Sequence, residues 1–432
     1  MNPIPSHVEV IVVGGGPAGS ATAWTLAKNG VDTLIVDRAR FPRSKACAEY
    51  LSPQATRILH DMGALDALAG APMATLAGMR VHARDGVTFE GRFAGSHGFR
   101  GFSDRGLAIR RELLDAALLE RARVAGAAVL EEAKVTDVLR DADGRATGVV
   151  VRHGEATAEI HARIVVGADG LRSVIARRLG LARRLRWPSR FAFVSHFTGV
   201  TEIGDCGEMH VFDDGYCGLA DVGGGITNVA VVVSEARARD AAGDAASFFD
   251  RWLAVHPALA AQFTSAARVS PILATGPFGT RARSAWAPGA ALVGDAADFY
   301  DPFTGEGIYA ALRGGELLAP YLYESLHAVP HRAHEALAAY DRCRHNEFGG
   351  KWQVERLIAV AVSNPWLLGC AARRLRDRRD LADLLVGVTG DFVPASEVLN
   401  LRFAFQLLAP SFVYDQRMST AAPTHEQRVT DA

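Results

Sequence analysis

The chain has 432 residues, 49% of them hydrophobic and 22% charged, with a formal net charge of −1. This composition supports two or three domains with a large core and excludes a disordered chain; the near-zero charge offers nucleic acid no global attraction. Five cysteines, at 47, 206, 217, 343 and 370, have neither C-x-x-C spacing nor an even count, which argues for a reducing, cytoplasmic setting without a disulfide framework or a thiolate metal site.

Residues 8–13 are a β-branched apolar run that predicts a buried parallel strand. Gly14, Gly16 and Gly19 follow with G-x-G-x-x-G spacing. The first glycine permits a tight turn, the second lets backbone approach a pyrophosphate, and the third allows close helix–strand packing. A helix is predicted over 18–29 and stopped by Gly30, its N-terminus turning free N–H groups and a positive dipole end toward a phosphate. A second strand, 33–36, ends at Asp37, 23 residues after Gly14, where a carboxylate would bind a ribose hydroxyl.

A loop over 38–47 leads to a predicted helix over about 53–68, then to short antiparallel strands among the glycines of 76–104. A helix over 111–125 ends at Gly126, and strands over 129–139 and 148–152 flank an Asp143-Gly144 turn. Residues 164–166 run into Gly167-Ala168-Asp169-Gly170. From 190 to about 270 the pattern is strand-rich, with 228–233 its clearest run, and Gly223-Gly224-Gly225 reads as a hairpin turn rather than a phosphate loop. Strand–turn–helix returns at 291–293 with Gly294-Asp295, and Asp301–Ile308 is a glycine-containing loop opening into a helix over 308–318. Beyond about 340 the chain reads as helical. Its apolar stretch 357–370 is interrupted by Asn364-Pro365 and is too short to span a bilayer. The arginine-rich stretch 373–379, broken by Asp377, reads as a solvated helix face or a basic patch for anionic lipid. The N-terminus lacks the order of a signal peptide.

The predicted fold is α/β, α+β overall: a Rossmann-like FAD-binding domain made of 1–75, 105–180 and 271–340, an inserted antiparallel-sheet substrate domain made of 76–104 and 181–270, and a C-terminal helical cap over 341–432. With its three glycine–aspartate signatures in this order, the chain resembles the flavoprotein superfamily of aromatic hydroxylases (group A flavin monooxygenases) and geranylgeranyl reductases. The resemblance runs from Val8 to about Glu316 and more loosely through the C-terminal helices. It implies tightly bound FAD, with NAD(P)H as a transient reductant for which no second complete glycine fingerprint is visible. It implies that Gly14, Gly16, Ala18, Gly19, Asp37 and Arg38 bind the ADP half, and that Arg111, in a sequence similar to the family's Arg-x-x-Phe-Asp helix start, lies near the cofactor. Asp169 is similar to the aspartate of the family's Asp-Gly motif, and Gly294-Asp295 to the pair at the ribityl chain. Gly305, Gly307 and Ile308 form a loop and helix N-terminus that would stabilise negative charge on a reduced flavin, the glycines letting backbone approach a flat ring.

Two features point to different branches. The loop Phe41–Pro53, with Cys47, and the segment Pro302–Tyr309 are similar to the reductase branch. Tyr216-Cys217-Gly218-Leu219-Ala220-Asp221 keeps the tyrosine of the prenyl-lipid Tyr-x-Trp-x-Phe-Pro motif but not the rest, which argues against a long isoprenoid. Trp187-Pro188 does not reproduce the halogenase Trp-x-Trp-x-Ile-Pro motif, which argues against halogenation. Cys47, Pro302 and Tyr216 are the candidate catalytic residues; His196 and His210 read as packing or surface, and no metal site is expected. The expected activity is NAD(P)H-consuming hydroxylation of an apolar aromatic or polyketide-like molecule through a flavin C4a-hydroperoxide. The alternative is reduction of a carbon–carbon double bond, with a proton from Cys47, Tyr50 or water. A non-catalytic lipid-escort protein of the same fold is the third reading, opposed by the presence of all three signatures. The expected partner is an apolar small molecule, with no nucleic acid and no membrane span; surface association with a membrane, and a monomeric or homodimeric state, stay open.

Overall fold

The computed structural model describes residues 4–329 and 332–408. β1 (His7–Val13) is buried from Val10 onward, and α1 (Pro17–Lys28) starts on Pro17, where a missing N–H leaves no hydrogen bond unmade. Gly30, at φ 79°, closes the helix. β2 (Thr33–Val36) then runs parallel to β1, Val10 opposite Thr33. Where one helix is predicted over 53–68 there are two, Ala55–Asp61 and Ala64–Ala67, because Gly63 adopts φ 67° between them. β3 (Gly78–His82) and β4 (Thr88–Arg92) form a hairpin that leaves this layer; residues 93–105 contain no strand.

α2 (Arg111–Val124) brings the chain back, and β5 (Ala128–Leu130) joins β2 in parallel. The single strand predicted over 129–139 is divided by Glu132, at φ 57°. Its second part, β6 (Ala133–Arg140), pairs antiparallel with β7 (Ala146–His153) instead. β8 (Ala156–Gly167) pairs antiparallel with β7 along its first half and parallel with β1 along its second. α3 (Val174–Arg178) follows the turn after β8.

The second sheet has β9 (Arg190–Thr198), β10 (Cys206–Val211), β11 (Gly215–Asp221) and β12 (Ile226–Ser234), with β3 and β4 added at one side, in the order β9–β12–β11–β10–β3–β4, and the short strands Ala267–Arg268 and Leu273–Thr275 pair with β9 at the other side. All its pairings are antiparallel except β10–β3, which is parallel, His210 lying opposite His82. Gly223, Gly224 and Gly225 all take positive φ in the turn between β11 and β12. Side chains alternate between the faces of a sheet. One face carries Ala192, Val194, Tyr216, Gly218, Ala230 and Val232, mostly small, toward a cavity. The other carries Phe193, Phe197, Leu219, Val229 and Val231, against α4 (Ala245–Ala254) and α5 (Pro257–Gln262). These helices were not expected within the strand-rich stretch 190–270. Asp244 accepts a hydrogen bond from Ser247 N at 2.9 Å to start α4, and Phe248, Phe249, Trp252 and Leu253 then form its buried stripe.

The chain returns to the first layer with β13 (Ala290–Leu292), parallel to β8. α6 (Gly307–His327) is nine residues longer at its C-terminal end than predicted, running through Pro320. It packs on α1 at Gly315, where a Cβ would stand 2.9 Å from Ala18 O. α7 (Ala333–Ser363), α8 (Pro365–Asp377), α9 (Arg379–Thr389) and α10 (Leu401–Leu408) complete the described chain, α8 and α9 lying over β4. Asn364 caps α8 by accepting from Leu367 N. The arginines of α8 and its end are largely matched by acids: Arg373 with Asp85, Arg376 with Asp377 and Arg378 with Asp380. Among the described residues no helix is long and apolar enough to cross a membrane.

Candidate active site

Two adjoining cavities share Lys45, Gly170, Leu171 and Thr275 as walls. They form one elongated cleft at the C-terminal ends of β1, β2 and β8, where open α/β sheets bind ligands.

At the first end lie Gly14, Asp37, Arg38, Lys134 and Asp169. Gly14 takes φ 107°, and a Cβ there would meet Ala168 O at 2.4 Å; at Gly19 it would meet Gly14 O at 1.8 Å. These two glycines therefore close the β1–α1 turn. At Gly16 only Arg43 Nη2, at 3.5 Å, would stand near a Cβ, so the N-terminus of α1 faces open space. Asp37 accepts from Gly15 N at 2.7 Å and from Ala39 N at 2.8 Å. Asp169 Oδ2 accepts from Val174 N at 2.6 Å at the start of α3, while its Oδ1 is buried with no protein partner. Burial pushes the Asp169 carboxyl above its ordinary range. A backbone cradle at a helix N-terminus, an acid at the end of β2 and an unpaired buried carboxylate oxygen fit the phosphate, ribose and hydroxyl chemistry of a dinucleotide.

At the second end lie Gly16, Ala18, Cys47, Arg111, Tyr216, Asp295, Pro302, Gly305, Gly307 and Ile308. Gly294, at φ 61°, stands behind this wall and packs on Ala18, a Cβ there falling 2.9 Å from Ala18 Cβ. Gly305, at φ 74°, lies so close to Tyr50 that a Cβ would meet its ring at 2.7 Å. Gly307 begins α6, so the helix N-terminus points into the cleft beside Pro302. These groups would hold the ring end of FAD.

The charged groups around this end are tightly paired. Arg111 grips Asp115 with Nε and Nη2 at 2.8 and 2.7 Å, and Arg43 adds a contact to Asp115 at 2.8 Å. Burial works against the Arg111 cation, but Asp115 and the neighbouring Cys47 more than offset it. The Tyr216 hydroxyl donates to Asp301 Oδ1 at 2.8 Å, and Asp301 Oδ2 pairs with Arg190 at 2.6 Å. Burial, reinforced by Asp301, holds the Tyr216 hydroxyl well above its usual range. Tyr216 is thus tied to the residue that precedes Pro302.

Glu49 is a cavity side chain that sequence reasoning passed over. Buried and lining the cavity, it takes φ 60°. Its Oε1 accepts from Arg111 N at 2.8 Å, and its Oε2 from Asn228 Nδ2 at 3.0 Å and from His196 Nε2 at 2.7 Å. Asn228 also donates to Cys47 O at 3.0 Å. His196 is therefore bonded to a residue of the cleft wall. His210 lies on the opposite sheet face, bonded to Glu208 at 3.1 Å and stacked on His82 at 4.2 Å. Asp301, Arg190 and Asn228 were also missed; the strand run 228–233 and the loop 301–308 that carry Asn228 and Asp301 were the available signals.

A third cavity, almost wholly apolar, lies between Met79, Val81, Phe89 and Met209 of the second sheet and α7–α10. Met209 lines both it and the ring end of the cleft.

This fold and cleft define an FAD-dependent oxidoreductase with a Rossmann-like cofactor domain. Residues 7–349 match the family described as FAD binding domain, and the chain belongs to it. It is similar to digeranylgeranylglycerophospholipid reductase 2 of Methanopyrus kandleri, 29% identical over 325 residues, covering 74% of this chain and 77% of that one. It is also similar to menaquinone reductase of Mycolicibacterium smegmatis, 33% identical over 181 residues, covering 40% of each. Among solved structures it superposes on the myxobacterial chondrochloren halogenase CndH with a TM-score of 0.74 at 25% identity, covering 81% and 82% of the two chains. PqsL, a probable FAD-dependent monooxygenase from Pseudomonas aeruginosa, shares the fold with a TM-score of 0.67 at 22% identity, covering 84% and 98%.

Proposed function

We propose that the protein reduces a carbon–carbon double bond in an apolar small molecule, with NAD(P)H as the electron source. The observation that carries this reading is a single thiol, Cys47, placed beside the Arg111 guanidinium on an otherwise largely apolar wall of the cavity. Bound FAD supplies hydride from its reduced form. Saturating an alkene also needs a proton on the neighbouring carbon, and Cys47 provides it. Arg111 and the Glu49 N–H, 3.3 Å from Cys47 Sγ, then take up the charge left on sulfur. Tyr216, its proton engaged by Asp301, positions the substrate rather than protonating it. Small residues on the facing sheet leave room for the reacting group, the apolar walls keep water from it, and the third cavity receives an apolar tail beyond Met209. The reductase names of the curated relatives support the same choice.

Hydroxylation is the second reading, favoured by Gly218. The resembling lipid reductases have a tryptophan at this place, and its absence opens a flat space suited to an aromatic ring. The two readings separate in one experiment. Flavin reduced without oxygen is mixed with polyene and aromatic candidates, anaerobically and in air, and products are weighed by mass spectrometry. Anaerobic reoxidation by an alkene, with a product heavier by two hydrogens, is the expected result. A strict oxygen requirement and a product heavier by one oxygen would replace the reductase with the monooxygenase.

A further inference from the structure

We infer that Glu49, His196 and Ser270 form a proton path between solvent and the cofactor cavity. The first observation is conformational. Glu49 has φ 60°, a left-handed backbone that is costly for a non-glycine residue and persists only when its surroundings over-determine it. A glycine would occupy the position without that cost, so the side chain is what the fold retains. Its carboxylate is clamped by three donors from three segments: Arg111 N at the start of α2, His196 on β9 and Asn228 on β12. His196 and Asn228 are directly opposed across the β9–β12 ladder, which is why both reach the same oxygen.

The second observation is the continuation outward. His196 Nδ1 lies 3.1 Å from Ser270 Oγ, and Ser270, like the His196 ring, is partly exposed. An imidazole accepts a proton on one nitrogen while releasing one from the other, so the chain solvent–Ser270–His196–Glu49 passes a proton without moving a residue. Two other polar chains at the cavity, Tyr216–Asp301–Arg190 and Arg111–Asp115–Arg43, end in guanidinium groups that do not give up their protons. The charged and titratable groups that share the cavity wall with Glu49 are Lys45, Cys47 and Tyr50 from its own stretch, Arg111 from α2, Tyr216 from β11 and Asp295, with His196 bonded to it from β9.

On the reductase reading the proton balance closes. NAD(P)H supplies the hydride that reaches one alkene carbon, and the Cys47 thiol gives its proton to the other. Glu49 returns a proton to sulfur, His196 returns one to Glu49, and solvent restores His196. That sequence rests on the proposed function, whereas the path itself requires only that flavin turnover exchange protons with solvent.

The test uses the FAD-loaded protein, photoreduced without oxygen, and two oxidants that are not its substrate. Reoxidation by menadione draws one proton in beyond the hydride it takes, and reoxidation by ferricyanide sends one proton out, so both load the path in opposite directions. Glu49→Gln and His196→Gln are expected to slow both reoxidations at least about tenfold and to change their solvent deuterium isotope effects. The flavin spectrum and FAD affinity should stay as in the wild type, and Glu49→Asp should restore part of both rates. Slowing with unchanged isotope effects would make Glu49 a structural clamp and overturn the path, as would no slowing with either oxidant. Because neither oxidant tests alkene chemistry, the path and the reductase reading can fail independently.

Discussion

His82 shows how one side chain couples this fold to pH. Burial, and then the stacked ring of His210, lower its pKa to about 4. In an unfolded chain the same group titrates near about 6.5. Between those values the unfolded state binds a proton that the folded state refuses, so stability falls as pH drops through that window. His97 and His256 are lowered in the same direction, burial being the largest cause in each. The melting temperature should therefore decline between about pH 6.5 and 4, and His82→Asn should flatten the decline without abolishing it; an unchanged slope would remove His82 as a cause. At this scale the sequence was legible wherever function depends on backbone spacing. Gly14, Gly16 and Asp37 occupy the positions their intervals predict, because a turn, a helix start and a strand end are local events. Glu49 was not legible, since its positive φ and its three donors depend on a loop, a helix and two strands that meet only after folding.

Among the elements, the β1–α1 turn is the most tightly specified. A methyl group at Gly19 would fall 1.8 Å from Gly14 O, a contact that only backbone displacement relieves. Gly19→Ala should purify with little or no FAD, read from its visible absorbance, while a fully yellow variant would show that the turn tolerates expansion. The first layer was readable because its strands are continuous apolar runs bounded by glycine. The helices α4 and α5 were not, since Phe248, Phe249 and Trp252 are residue types that strands also favour. What selects the helix is the burial of that stripe against β9, β11 and β12. Glu132 divided a predicted strand for the same kind of reason: β2 claims one half as a neighbour and β7 the other.

For the whole molecule, the cofactor cleft ties distant segments together. Its walls come from the N-terminal layer, the second sheet and the loop before α6, so a ligand filling it links them all. A ligand that binds only the folded state adds about 2.7 kcal/mol at a hundredfold excess over Kd. Stripping FAD should therefore lower the melting temperature and readdition should restore it; equal melting of the two forms would separate the cleft from global stability. The order of the three glycine–aspartate segments made the cofactor layer legible, whereas the parallel pairing of β3 with β10 left no local trace.

That partnership has a consequence for anyone who would transplant the second sheet. β10 is buried along its whole length, and one of its flanks is supplied by β3, from more than a hundred residues earlier. A cassette cut at 181–270 would carry β10 with that flank bare, an open template for strand addition by neighbouring chains. Chimeras should keep 78–92 and 190–275 from the same parent, and a fragment lacking the earlier hairpin should enter inclusion bodies.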